Sequence, residues 1–157
     1  MTRNRSSLTR IALVAALVTG LTSLAPSVAT ASTTSTLTPR ARMYRATNNS
    51  RLNNGVNRVD IHRTMSRIAR RHSEAMANRG YIFHTTNPSS VYLQGVNWST
   101  WGENVGVTGS TISSIQSAFM QSTGHRANIL NQRFRRVAVG TYRDDDGYLW
   151  VTVFFYG

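Results

Sequence analysis

The sequence predicts an α+β protein, a three-layer α-β-α sandwich around a small, largely antiparallel sheet. Three observations predict it. First, Tyr148 to Tyr156 is apolar on both faces, with Leu149, Val151, Val153 and Phe155 on one and Trp150, Phe154 and Tyr156 on the other. A sheet built on such a strand needs cover on both sides. Second, Arg136 to Arg143 precedes it across Asp144-Asp145-Asp146-Gly147. Glycine accepts positive φ there, so the two segments read as a hairpin. Third, helical patterns earlier in the chain can supply both covers.

The chain starts with Arg3, Arg5 and Arg10, an apolar run from Ile11 to Leu24, and the small-residue site Ala29-Thr30-Ala31. That order reads as a signal peptide over residues 1–31. Its apolar run is shorter than the roughly 20 residues of a membrane span, so no transmembrane helix is expected after its removal. A Ser/Thr-rich lead-in over 32–42 and one domain over 43–157 follow.

Within the domain, a first helix is expected from Arg42 to about Asn53, although Thr47-Asn48-Asn49-Ser50 are poor helix formers. The second helix is better marked. Asp60 can cap it, and Ile61, Met65, Ile68, His72, Ala75 and Met76 recur at helical spacing. Gly80 suits its left-handed C-terminus. Phe83 to Thr100 reads as irregular, and Glu103 to Val107 as a short strand. Ser110 is the expected cap of a third helix carrying Ile112, Ile115, Phe119 and Met120. That helix should end at Ser122-Thr123-Gly124, with a helical turn over His125 to Leu130.

Composition removes several functions. There is no cysteine among the 157 residues, which excludes disulfides, thiolate zinc sites, a cysteine nucleophile and a lipoprotein anchor. No phosphate-cradling glycine loop, no H-E-x-x-H and no G-x-S-x-G occur. The first 31 residues hold three of the 18 basic residues and no acid, leaving 15 arginines against six acids, a net charge of +9. Lysine is absent. Such a charge suits an anionic partner, or simply a solvated arginine-rich surface.

Acids are scarce, and Glu103 stands beside a predicted strand rather than on a wet helix face. His84 opens a loop and His125 follows a glycine. Two imidazoles and one carboxylate can hold a divalent metal or form an acid–base set. Spacing alone leaves separate structural roles open. His72 reads as a half-buried histidine with a hydrogen-bond partner, and His62 as a surface residue. The aspartate run reads as a turn, because the spacing of a calcium loop is missing. Asn48-Asn49-Ser50 and Asn97-Trp98-Ser99 match glycosylation acceptors.

The ordered set Tyr81-Ile82-Phe83-His84, Gly102-Glu103-Asn104, Ser122-Thr123-Gly124-His125-Arg126-Ala127-Asn128-Ile129-Leu130-Asn131 and Val137-Ala138-Val139-Gly140 resembles the CAP (SCP-like) superfamily. That group includes cysteine-rich secretory proteins, antigen 5 and pathogenesis-related proteins, and the Gly124 to Asn131 segment is similar to its bacterial branch. The resemblance runs from about Tyr44 to Gly157. It implies an α-β-α fold and a cleft formed here by His84, Glu103, Asn104, Ser122, His125 and Asn128. It also implies zinc binding through His84 and His125 in some relatives, and lipid or sterol binding in others.

Ser122 falls where many eukaryotic members carry a second cleft glutamate. Phe119 stands for a usual tryptophan and Phe83 for a small residue. The missing acid weakens an acid–base hydrolase. The expected function is therefore a secreted, monomeric, non-enzymatic module for a lipid, sterol or anionic envelope component, with Zn2+ as the candidate cofactor. A metal-assisted hydrolase using His84, His125 and Glu103 is the first alternative. A nucleic-acid binder using the Arg63–Arg71 face is the second.

Overall fold

The computed structural model describes residues 36–157; the signal-like segment and the first residues of the lead-in lie outside the described residues. Helix α1 spans Pro39–Asn53, β1 Asp60–Ile61, α2 Arg63–Arg79 and α3 Pro88–Val91. Then come β2 Trp101–Thr108, α4 Ile112–Gln121, α5 Thr123–Leu130, β3 Arg136–Arg143 and β4 Leu149–Tyr156. The sheet order is β1-β3-β4-β2. β1 runs parallel to β3, while β2 and β3 flank β4 antiparallel.

The two faces of β4 separate as its alternation predicts. Leu149, Val151, Val153 and Phe155 pack with Met43 of α1, Ile115 and Phe119 of α4 and Ile129 of α5. Phe154 and Tyr156 pack with Met65 and Ala69 of α2, and Trp150 with Met76. Helix α2 thus covers one face, and α1, α4 and α5 cover the other. That is the expected α-β-α sandwich.

Close approach of α2 to the sheet depends on Gly140. A Cβ built there would lie 2.1 Å from the backbone carbon of Ala69. Polar ties reinforce the contact. Ser66 Oγ accepts from Val139 N at 3.1 Å, and Ser73 Oγ meets Thr152 Oγ1 at 2.9 Å.

Helix α1 begins three residues earlier than expected, inside the segment read as lead-in. Thr38 Oγ1 accepts from Ala41 N, and Pro39 occupies the first turn, where its missing N–H costs nothing. Of the polar stretch that weakened the helix signal, Thr47 and Asn48 face inward. Asn48 accepts from Val59 N at 2.9 Å and donates to Val59 O at 3.1 Å, so the buried amide stands in for a strand neighbour. Its burial removes Asn48 as a glycosylation acceptor in the folded chain.

Arg51 has no exposed surface. Its Nε donates to Asn57 O at 2.7 Å, and its terminal nitrogens donate to Ile129 O, Asn131 O and Phe134 O at 2.6, 3.0 and 3.4 Å. One guanidinium therefore ties α1 to the chain leaving α5. Burial, and then the charge of Arg135, hold its pKa below the ordinary arginine value.

Asp60 is not the α2 cap. It lies in β1, where its N–H bonds Arg135 O at 2.9 Å. The cap is His62, whose Nδ1 accepts from Met65 N at 3.2 Å. His62 thus has a local structural duty beyond the surface role expected of it. Similarly, α4 is capped by Thr111 rather than Ser110, with Ser114 N donating to Thr111 Oγ1. The segment read as irregular contains the one-turn helix α3, started by Pro88. Asp144 anchors the hairpin turn: Tyr148 N and Trp150 Nε1 donate to its two oxygens at 2.7 and 2.6 Å. Gly147 takes φ +85°, as the turn reading requires.

Candidate functional site

β2 is an edge strand, and the loops of the two helical layers meet along it. Its alternation points Glu103 towards the loop after α2 and Asn104 towards α5. Gly80 ends α2 in the left-handed region at φ +73° and turns the chain back towards β2. His72 Nε2 bonds Phe83 O at 2.8 Å and its ring packs edge-on against Phe83. This is the half-buried, partnered histidine expected, and it sets the start of the His84 loop.

The Glu103 side chain is 2 % exposed. Its Oε2 lies 3.0 Å from His84 Nδ1 and accepts from Thr85 N at 2.9 Å. Its Oε1 accepts from Thr85 Oγ1 at 2.7 Å. Three donors thus converge on one buried carboxylate, which is how such a charge is tolerated. The His84 side chain itself is 63 % exposed. With Nδ1–H directed at the carboxylate, Nε2 is left as the outward acceptor, the arrangement in which a carboxylate orients a metal-binding imidazole.

On the other side of β2, Asn104 Nδ2 donates to His125 O at 3.0 Å. Asn128 Nδ2 donates to Glu103 O at 3.2 Å and to Asn104 Oδ1 at 2.9 Å. These bonds clamp α5 to the strand. They need Gly102, because a Cβ there would lie 2.5 Å from Asn128 Oδ1. The His125 ring packs 4.8 Å from the buried Phe119 ring. Its pKa falls below the ordinary 6.5, first through burial and then through the charge of His84. His125 therefore stays neutral, and able to donate a lone pair, to lower pH than a free histidine.

The structure brings His84, Glu103, Asn104, His125 and Asn128 to one edge. Ser122 joins only through its backbone, at the junction of α4 and α5: its N–H bonds Ala118 O and its carbonyl accepts from Arg126 N. Sequence reasoning missed Thr85, which supplies two of the three donors to Glu103. It also missed Tyr92, a buried ring stacked 4.1 Å from Phe154. The Tyr92 hydroxyl pKa is raised by burial first and by the Glu103 charge second. Only adjacency to His84 could have pointed to Thr85. Among the described residues no group of three or more His, Cys, Asp or Glu side chains is placed to hold a metal ion.

The α-β-α sandwich, with His84 bonded to the buried Glu103 on its edge strand, has the fold of an SCP-domain protein. Residues 44–155 match the CAP family, described as the cysteine-rich secretory protein family, and the chain belongs to it. It is 30% identical over 143 residues to the uncharacterized protein YkwD of Bacillus subtilis, covering 84% of this chain and 55% of that protein. The chain thus spans about half the length of the curated relative that it matches. An extracellular protein containing a SCP domain from Bacillus anthracis is 25% identical, with a TM-score of 0.61 over 73% of this chain and 39% of that one. An outer surface protein of Borrelia burgdorferi shares the fold at 15% identity, with a TM-score of 0.64 over 73% of this chain and 89% of that one.

Proposed function

We propose that this chain is an exported, monomeric, non-enzymatic binding module that holds a lipid, sterol or anionic envelope component at the His84–Glu103–His125 cleft. The saturation of Glu103 carries the reading. A carboxylate that is buried and already accepts from Thr85 N, Thr85 Oγ1 and His84 is committed to holding the loop, and is poorly disposed to take a proton from water. That weighs against the hydrolase. Export is supported by the signal-like segment 1–31 and by the extracellular and outer-surface relatives. Among the described residues no helix is long and apolar enough to cross a membrane.

The proposed site includes a place for a divalent metal. His84 Nε2 and a ring nitrogen of neutral His125 would hold it, and Glu103 would orient His84 from behind. Two protein nitrogens make an exchangeable zinc site rather than a structural one. When bound, the ion would offer a Lewis-acidic contact to a ligand oxygen; loop and strand supply the positioning.

Cosedimentation with purified cell-wall polymer, and with vesicles containing fatty acid or sterol, tests the proposal. Binding to at least one of these should drop by about tenfold or more in a His84→Ala/His125→Ala double variant, the scale of two lost polar anchors. Binding to all of them at wild-type strength by the folded double variant would move the site elsewhere.

A further inference from the structure

A second feature lies apart from the cleft. Thr38 and Arg40 at the start of α1, Ser66, Arg67 and Arg70 of α2, and Thr141 of β3 line one hollow of about 300 Å³. Three arginines border it. Like charges gathered in one concavity repel each other, and an anion between them relieves that repulsion. Glu74 pairs with Arg70 at 3.0 Å. Among the described residues no carboxylate comes within salt-bridge reach of Arg40 or Arg67. Residues 1–35 contain no acid that could supply one. Arg70 is held further by Tyr142, with its guanidinium carbon 5.6 Å from the ring centroid. Ser66 Oγ is already committed, donating to His62 O and accepting from Val139 N. The hydroxyl groups left to face a ligand are those of Thr38 and Thr141.

From this arrangement we infer that the hollow between α1, α2 and β3 is an oxyanion site for a phosphate group. Arg40, Arg67 and Arg70 supply the charge, and Thr38 and Thr141 supply hydroxyl donors. The planar guanidinium fork matches pairs of phosphate oxygens, and a tetrahedral anion can meet forks arriving from two helices at once. The site is independent of the cleft: none of its residues touches His84, Glu103 or His125.

Calorimetric titration of the purified full-length chain with inorganic pyrophosphate at low salt tests it. Saturable binding is expected. It should weaken about tenfold in Arg40→Gln and in Arg67→Gln, the loss of one charge-assisted contact. It should change by no more than about twofold in Arg58→Gln and Arg143→Gln, which alter net charge equally but lie elsewhere. All four are surface changes expected to leave folding intact, and a thermal melt verifies this. Cosedimentation with phosphatidylglycerol vesicles separates the sources. Arg67-dependent sedimentation puts the phosphate on a lipid headgroup, whereas pyrophosphate binding without sedimentation puts it on a soluble or polymer-borne phosphate. Absence of both kinds of binding, or equal weakening in all four variants, would overturn the inference.

Discussion

Replacing Arg51 by methionine is expected to destabilise the domain by on the order of 3–5 kcal/mol, the cost of breaking a buried charged network. The midpoint of thermal unfolding should fall by roughly 10–20 °C. Methionine fills much of the same volume but takes the Arg51 donor from the carbonyls of Asn57 and Ile129, and leaves those of Asn131 and Phe134 only the long bonds from Phe134 N and Arg135. Each unmatched buried carbonyl costs about 1–3 kcal/mol before relaxation. Lysine should fare little better. It keeps the charge, but a single ammonium cannot reach four acceptors spread around a planar fork. Chemical denaturation of both variants checks this. A methionine variant as stable as the parent would mean that water satisfies those carbonyls equally well.

Gly140→Ala is expected to cost about 3 kcal/mol or more, at the upper end of overpacking effects. The added methyl would meet the carbonyl carbon and oxygen of Ala69 at 2.1 and 2.3 Å and the backbone nitrogen of Arg70 at 2.3 Å. Backbone cannot rotate aside as a side chain can, so α2 must lift from β3. The same change at Gly124 meets nothing within 4 Å. There it should be neutral or stabilising by roughly 0.5–1 kcal/mol, because alanine suits a helix better. Parallel denaturation curves of the two variants give the comparison. Equal effects at the two positions would refute the packing account.

The elements legible in the sequence were those whose pattern repeats. β3 and β4 followed from an Asp-Gly turn and a last segment apolar on both faces, and α2 and α4 from an apolar stripe at helical spacing. The rest depended on single contacts between distant residues. β1 has two residues, too few for any periodicity, yet its pairing with β3 moves the α2 cap from Asp60 to His62. The polar stretch of α1 counted against a helix by propensity, but tertiary contacts from Asn48 and Arg51 override that preference. At the cleft, His84, Glu103 and His125 were visible as rare residue types in suggestive places. Thr85 was not, because a threonine in a polar loop carries no signal until the carboxylate opposite it is known.

Calorimetric titration of the folded chain with Zn2+ near neutral pH, beside His84→Ala, His125→Ala and Glu103→Gln, tests the two-histidine cleft most directly. Saturable binding is predicted, abolished in either alanine variant. Glu103→Gln should weaken it by about 10–100-fold without abolishing it, as expected for a residue that orients a ligand rather than serving as one. Binding that persists unchanged in His84→Ala or His125→Ala, or no saturable binding at all, would contradict a shared site.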